Sequence, residues 1–166
     1  VLISSLGTYF AADLLAGFVM ISPLSPELVP DPVRHHKLVP NARAKFDQRD
    51  FSYVQENNEL GLRGQEVSVD KHQSTYRIIM LGDSCTMGKG VEYHQTFSFG
   101  LQDILEDELD VCKGKVKHIE VLNAGVDSYS PLLAYLYLSR ELISLNPDLV
   151  VFNLDNSDLV QEAAYR

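Results

Sequence analysis

From Tyr76 onward the chain alternates short apolar runs with amphipathic stretches, and this alternation constrains the fold more than any other feature. The runs "YRIIML" (76–81), "KHIEVL" (117–122) and "DLVVFNL" (148–154) are four to eight residues of mainly aliphatic character, the signature of strands buried on both faces. Between the first two lies "QTFSFGLQDILEDELD" (95–110), in which Phe97, Leu101, Ile104, Leu105 and Leu109 recur at helical spacing with Asp103, Glu106, Asp107 and Glu108 opposite. Between the second and third lies "SPLLAYLYLSRELISLNP" (130–147), which opens on Ser-Pro, a favoured N-cap and N1 pair, and stops before Pro147. Strands near 76–82, 117–122 and 148–154 with helices near 95–109 and 131–145 read as parallel βαβ units with right-handed crossovers. Ligands of such sheets sit at the carboxyl ends of the strands, which singles out residues 82–90, 123–130 and 155–158.

The sequence before Tyr76 divides in two. Residues 1–21, "VLISSLGTYFAADLLAGFVMI", carry one charge, Asp13, and as a helix would span about 30 Å, the thickness of a bilayer core. A membrane anchor is the expected reading; a buried core helix and a cleavable signal peptide are the alternatives, the latter without a visible basic n-region. Asp13 then belongs near the interface or against a partner helix, and Gly7, Ala11, Ala12 and Gly17 suit close helix packing. Residues 22–75 read as an extended linker and irregular lead-in with short strands, because Pro23, Pro26, Pro30 and Pro32 forbid a regular helix. "NELGLRG" (58–64) has turn residues at both ends. His35 and His36 are adjacent, point apart in an extended chain, and read as part of a solvated loop. The α/β domain is assigned to residues 76–166.

Composition narrows the function. Hydrophobic residues make up 45% and charged residues 22% of the 166 residues, a globular mixture, and the net charge of -9 argues against a nucleic-acid partner. The two cysteines, Cys85 and Cys112, form no Cys-x-x-Cys, and no metal site or cofactor is expected.

The loop "LGDSCTMGKG" (81–90) decides which chemistry the first strand end supports. A phosphate-binding loop needs G-x-x-x-x-G-K-[ST]; here five residues separate Gly82 from Gly88, and Gly90 stands where the magnesium-binding hydroxyl belongs. The elbow G-x-S-x-G fails as well, since Thr86 occupies the second glycine's place. Ser84, directly after the strand, can present its hydroxyl at the sheet's carboxyl edge. The backbone N–H groups of Ser84 and of Gly125, in "NAGVDSYSP", are candidate oxyanion donors. The plainer reading makes Ser84 a cap serine and Gly125 a turn glycine.

"IIMLGDSCTMGKGV", "VLNAGVDSYSP" and "DLVVFNLDNSDL", in that order, resemble the first three blocks of the SGNH hydrolases, the GDSL-like lipases and acylhydrolases, and "NELGLRG" resembles the lead-in of membrane-anchored bacterial members. The resemblance implies a flavodoxin-like three-layer α/β/α fold with a parallel sheet, incomplete here and preceded by one N-terminal transmembrane helix. It implies Ser84 as nucleophile, with Ser84 and Gly125 as oxyanion donors. The chemistry implied is hydrolysis or transfer of acyl esters, such as acetyl groups on carbohydrate or lipid. Two departures accompany it. The third block usually reads G-x-N-D, whose Asn is the third oxyanion donor; here "DNSD" puts Ser157 at that position and Asn156 one residue early. The family's base is a His in an Asp-x-x-His block, and no Asp-x-x-His occurs among these residues. His94 lies near the start of the first helix, His118 begins the second strand and His72 precedes the first.

Three functions are therefore expected in turn. The first is a membrane-anchored esterase or acyltransferase acting on an acyl-ester substrate, inactive over these residues without its base. The second is a catalytically silent subunit of a membrane protein complex, and the third a module binding a small ligand at the same strand ends. Partners are the lipid bilayer and other subunits of such a complex. The expected location is single-pass in the membrane, with the domain on the extracytoplasmic, periplasmic side.

Overall fold

A computed structural model describes residues 27–112, 114–156 and 158. Ahead of the apolar runs it places two antiparallel hairpins. Strands β1 (Leu28–Asp31) and β2 (His35–Leu38) pair with Leu28 opposite Leu38 and Asp31 opposite His35. Their turn is set by Asp31, whose Oδ1 accepts the N–H groups of Val33 and Arg34, both at 2.9 Å, a local bond that favours chain reversal. Strands β3 (Arg43–Asp47) and β4 (Ser52–Glu56) pair from Arg43 opposite Glu56 to Asp47 opposite Ser52. Phe46 and Tyr53, direct cross-strand partners, stack with ring centroids 4.8 Å apart.

The rest of the chain runs β5 (Thr75–Gly82), α1 (Ser84–Met87), a 3-10 turn (Tyr93–Gln95), α2 (Phe97–Cys112), β6 (His118–Gly125), α3 (Pro131–Arg140), a second 3-10 turn (Leu142–Leu145) and β7 (Leu149–Phe152). The three strands form one parallel sheet in the order β6-β5-β7, with Gly82 level with Gly125 and Leu81 level with Phe152. The two-residue period sorts the side chains onto two faces. Ile79, Leu81, Leu122 and Ala124 pack with Leu133, Ala134 and Tyr137 of α3. Ile78, Met80, Ile119 and Val121 pack with Leu101, Leu105 and Leu109 of α2.

Both helices depart from the sequence pattern in one respect. On α2 Leu101, Leu105 and Leu109 are half-buried against the sheet, while Phe97 and Ile104 are 65% and 63% exposed; the narrow three-stranded sheet takes one row of these apolar side chains. α3 starts as expected, with Ser130 Oγ accepting the Leu133 N–H and Pro131 in the first turn, but stops at Arg140 rather than near 145. The chain tightens into the 3-10 turn and leaves it through Asn146 in a left-handed conformation, φ 51, ahead of Pro147.

The expected architecture needs correction. Over the described residues the fold is a small mixed α/β domain built on a three-stranded parallel sheet rather than a flavodoxin-like three-layer sheet. The hairpins, expected as linker, add antiparallel structure whose Leu38, together with Leu62 beyond them, joins the main core. Among the described residues no helix is long and apolar enough to cross a membrane; α2, with 16 residues, has its acidic face in water. Residues 1–21 lie outside the described residues.

Three arginines fasten the lead-in to the sheet. Arg34, Arg63 and Arg77 are 2%, 2% and 0% exposed, an uncommon state for a residue that is rarely buried without partners. Arg34 donates to the Tyr129 hydroxyl at 3.2 Å, reaches both Glu141 carboxylate oxygens at 2.7 and 2.9 Å, and lies 4.0 Å over the Tyr137 ring. Arg77 on β5 donates to Glu120 Oε2 at 2.7 Å, Ser68 O at 2.8 Å and Leu145 O at 2.7 Å. The planar fork of donors lets one guanidinium serve several chain segments at once. Arg63 does the same at the end of β5, where the candidate site begins.

Candidate functional site

The carboxyl edge of the sheet is organised around α1, a single helical turn. Asp83 is its N-cap: the side chain accepts the Cys85 N–H at 2.8 Å, and the Asp83 carbonyl accepts the Met87 N–H at 2.9 Å. Ser84, half-buried, is the first helical residue, and its carbonyl accepts the N–H groups of both Gly88 and Lys89 at 2.9 Å. Gly88 closes the turn at φ 85, a conformation that costs glycine least. Burial pushes the Asp83 carboxyl above its usual range; the Cys85 N–H opposes this and the charges of Asp155 and Asp158 add to it.

Gly125, level with Gly82 on the neighbouring strand, lies directly under α1. A Cβ there would overlap the Met87 backbone nitrogen, so only glycine lets the helical turn sit on β6. The Gly125 N–H donates to Asn123 Oδ1 at 3.1 Å. The same Asn123 donates its Nδ2 to Thr86 O at 3.0 Å, with Met87 O at 3.3 Å. One buried amide thereby joins the helical turn that Ser84 opens to the strand beneath it.

The third segment follows β7. Asn153 extends the ladder by donating its N–H to Leu81 O at 2.9 Å, and its Nδ2 donates to Thr86 Oγ1 at 3.2 Å. The Asp155 N–H then donates to Asp158 Oδ2 at 2.6 Å, and Cys85 Sγ donates to Asp155 Oδ2 at 3.7 Å. Asn156 is exposed in this turn, next to the residue that meets Cys85. Ser157 lies outside the described residues.

The edge therefore gathers Ser84, Gly125 and the turn carrying Asn156 around one helical turn. Among the described residues no hydrogen bond joins the Ser84 side chain to Gly125 or Asn156. Of the two backbone donors, the Gly125 N–H is engaged by Asn123, whereas no acceptor among the described residues takes the Ser84 N–H.

None of the five histidines hydrogen-bonds Ser84. His36 Nε2 pairs with Asp127 O at 2.7 Å and its Nδ1 with His35 Nδ1 at 2.9 Å, while His72 pairs with Ser74 Oγ at 3.0 Å. His94 is exposed in the first 3-10 turn, and His118 begins β6 at the opposite end of the sheet. The pair at 35–36 is not simply a solvated loop: His36 is buried, stacks edge-on against Tyr129, and holds the loop after β6 through Asp127. Across that loop Asp127 Oδ2 accepts from Lys89 Nζ at 2.6 Å.

Asp83, Cys85 and Asp155 bring metal-type donor atoms within 4.8 Å of one another. The Asp83 charge, burial and Asp155 all raise the Cys85 thiol, and both Cys85 and Asp155 are exposed. No metal is assigned to this group.

Arg63, Asn123 and Asn153 hold α1 and were not among the sequence candidates. The signal available for them was positional: "LGLRG" and "LNAG" each place one large polar residue in an otherwise small or apolar run. No protein-family model matches the chain, and no curated protein matches it at a significant level.

Proposed function

We propose that this is an SGNH-type serine hydrolase domain in which Ser84 accepts the acyl group of an ester. The observation that carries the reading is the position of Ser84: it opens a helical turn at the carboxyl end of the central strand, on a glycine of the neighbouring strand, with a third strand end tied to the same turn. In this reading the Ser84 hydroxyl attacks the ester carbonyl, the Ser84 N–H donates to the oxyanion that develops, and collapse of that intermediate breaks the ester C–O bond and releases the alcohol, which takes the proton the base drew from Ser84. The Gly125 N–H becomes a second donor once Asn123 Oδ1 releases it, and Asn156 or Ser157 supplies the third. The base that takes the Ser84 proton is none of the five histidines above; it would come from an Asp-x-x-His block of the kind the resemblance implies. The extracytoplasmic location belongs to the same proposal.

A second reading, a catalytically silent subunit of a protein complex, draws support from the bond between Gly125 and Asn123 and from the absence of a histidine on Ser84 among the described residues. A serine-reactive fluorophosphonate applied to the full-length protein separates the two. Labelling that disappears in Ser84→Ala is expected for the hydrolase; wild-type protein that takes no label refutes it and favours the silent subunit.

A further inference from the structure

Resting on that reading of Ser84, we infer that Arg63 is a positioning residue for the nucleophile: its guanidinium grips the C-terminal end of α1 and so sets where Ser84 stands. α1 has four residues, far below the length at which a helix holds itself together in water. Its shape must be imposed by what surrounds it, and its last carbonyls need partners outside the turn. Arg63 Nη1 donates to Met87 O at 2.9 Å and to Gly88 O at 2.5 Å, and Nη2 donates to Val91 O at 2.6 Å. A single charged fork thus satisfies the end of the turn and the loop that leaves it. A cation at this end also complements the partial negative charge of the carbonyls.

Arg63 is itself fixed. Its backbone bridges to Asn57 on one side and to Asn123 on β6 on the other, and its guanidinium carbon lies 5.5 Å from the centre of the Tyr53 ring. The grip explains Gly88 as well. A Cβ at Gly88 would come within 3.0 Å of Arg63 Nη1 and 2.6 Å of Thr96 Cγ2, so the glycine admits both the turn and the guanidinium. Position along the Ser84–Met87 turn is passed directly to Ser84, because Ser84 O is bonded to the Gly88 N–H within the same turn. Lysine, whose three N–H donors radiate from one nitrogen, lacks the planar fork that reaches the three carbonyls.

The test measures fluorophosphonate labelling of the full-length protein as a maximal rate, a half-saturating probe concentration and an end-point stoichiometry. Misplacing a reacting group by about an ångström costs about 10²-fold in rate. Arg63→Gln is expected to lower the maximal rate on that order, with probe affinity within about twofold and full labelling at the end point. Arg63→Lys, which keeps the charge and most of the volume, is expected to recover about tenfold of the loss. A wild-type maximal rate in either variant overturns the inference while leaving the catalytic reading intact. So does a variant that loses end-point labelling at an unchanged rate, which is the signature of a purely structural role. Wild-type protein that takes no label, or labels equally in Ser84→Ala, overturns both.

Discussion

Asn123 Oδ1 accepts the N–H of Gly125, two residues along the same strand, at 3.1 Å. The bond withholds a backbone donor from the site while the other end of the same amide grips Thr86 O. Replacing Asn123 with Ala frees the Gly125 N–H but leaves buried carbonyls of α1 with one partner fewer. Loss of a buried partner costs about 1–3 kcal/mol, so Asn123→Ala is expected to destabilise by that amount in urea unfolding. A variant of wild-type stability would show that the amide is replaceable.

Ser84, half-buried, makes no side-chain hydrogen bond among the described residues. Ser84→Ala should change stability by less than about 0.5 kcal/mol while abolishing fluorophosphonate labelling of the full-length protein. A stability loss well above that, measured by the same urea titration, would point to a capping or packing role for the hydroxyl.

Arg77 gathers Ser68, Glu120 and Leu145 onto the central strand. Its removal takes a donor from three carbonyls, those of Ser68, Val69 and Leu145, and leaves Glu120 without its cation. Arg77→Ala is expected to cost about 3 kcal/mol or more, read as a large drop in thermal midpoint. Glu120→Gln keeps an acceptor and should cost far less, because the Glu120 side chain is 32% exposed.

Two carboxylates give opposite pH dependence. Burial raises Asp148, but the Lys71 ammonium and the Arg77 N–H outweigh it and hold it below its ordinary value of 3.8. Its contribution to stability is therefore present above the ordinary value and is lost as pH falls through the lower folded value. Asp83 is raised above 3.8, chiefly by burial; its folded form is favoured at low pH and the advantage is lost as pH rises through the folded value. Asp148→Asn should destabilise at pH 7 and approach wild type near pH 2. Asp83→Asn, which keeps the cap, should gain relative to wild type on going from pH 3 to pH 7. Thermal melts across that range check both signs.

The parallel strands and the start of α3 were legible because each depends on local pattern: an aliphatic run, or a Ser-Pro pair. Short strands in the lead-in are expected from the sequence, but their pairing into two hairpins is not, since strands of four or five residues carry too few alternations to fix bounds or partners. The buried arginines were illegible for a different reason. A cation in sequence reads as surface, and only the fold reveals that Tyr129 and Glu141 wait for Arg34. At the site, the placement of Ser84 and Gly125 at adjacent strand ends follows from the βαβ pattern. The bond that engages Gly125 and the arginine that holds α1 depend on register and on a loop conformation, neither of which the pattern contains.

The link from Arg34 to Glu141 joins residues 107 positions apart, and it orders events during synthesis. The first hairpin leaves the ribosome long before its ionic partner exists, so its guanidinium stays hydrated until α3 has emerged and docked. Contacts of such long range slow folding, and they keep the lead-in, although made early, open to protease until α3 has docked. Nascent chains stalled before and after residue 141 has cleared the exit tunnel should differ sharply in cleavage at Arg34.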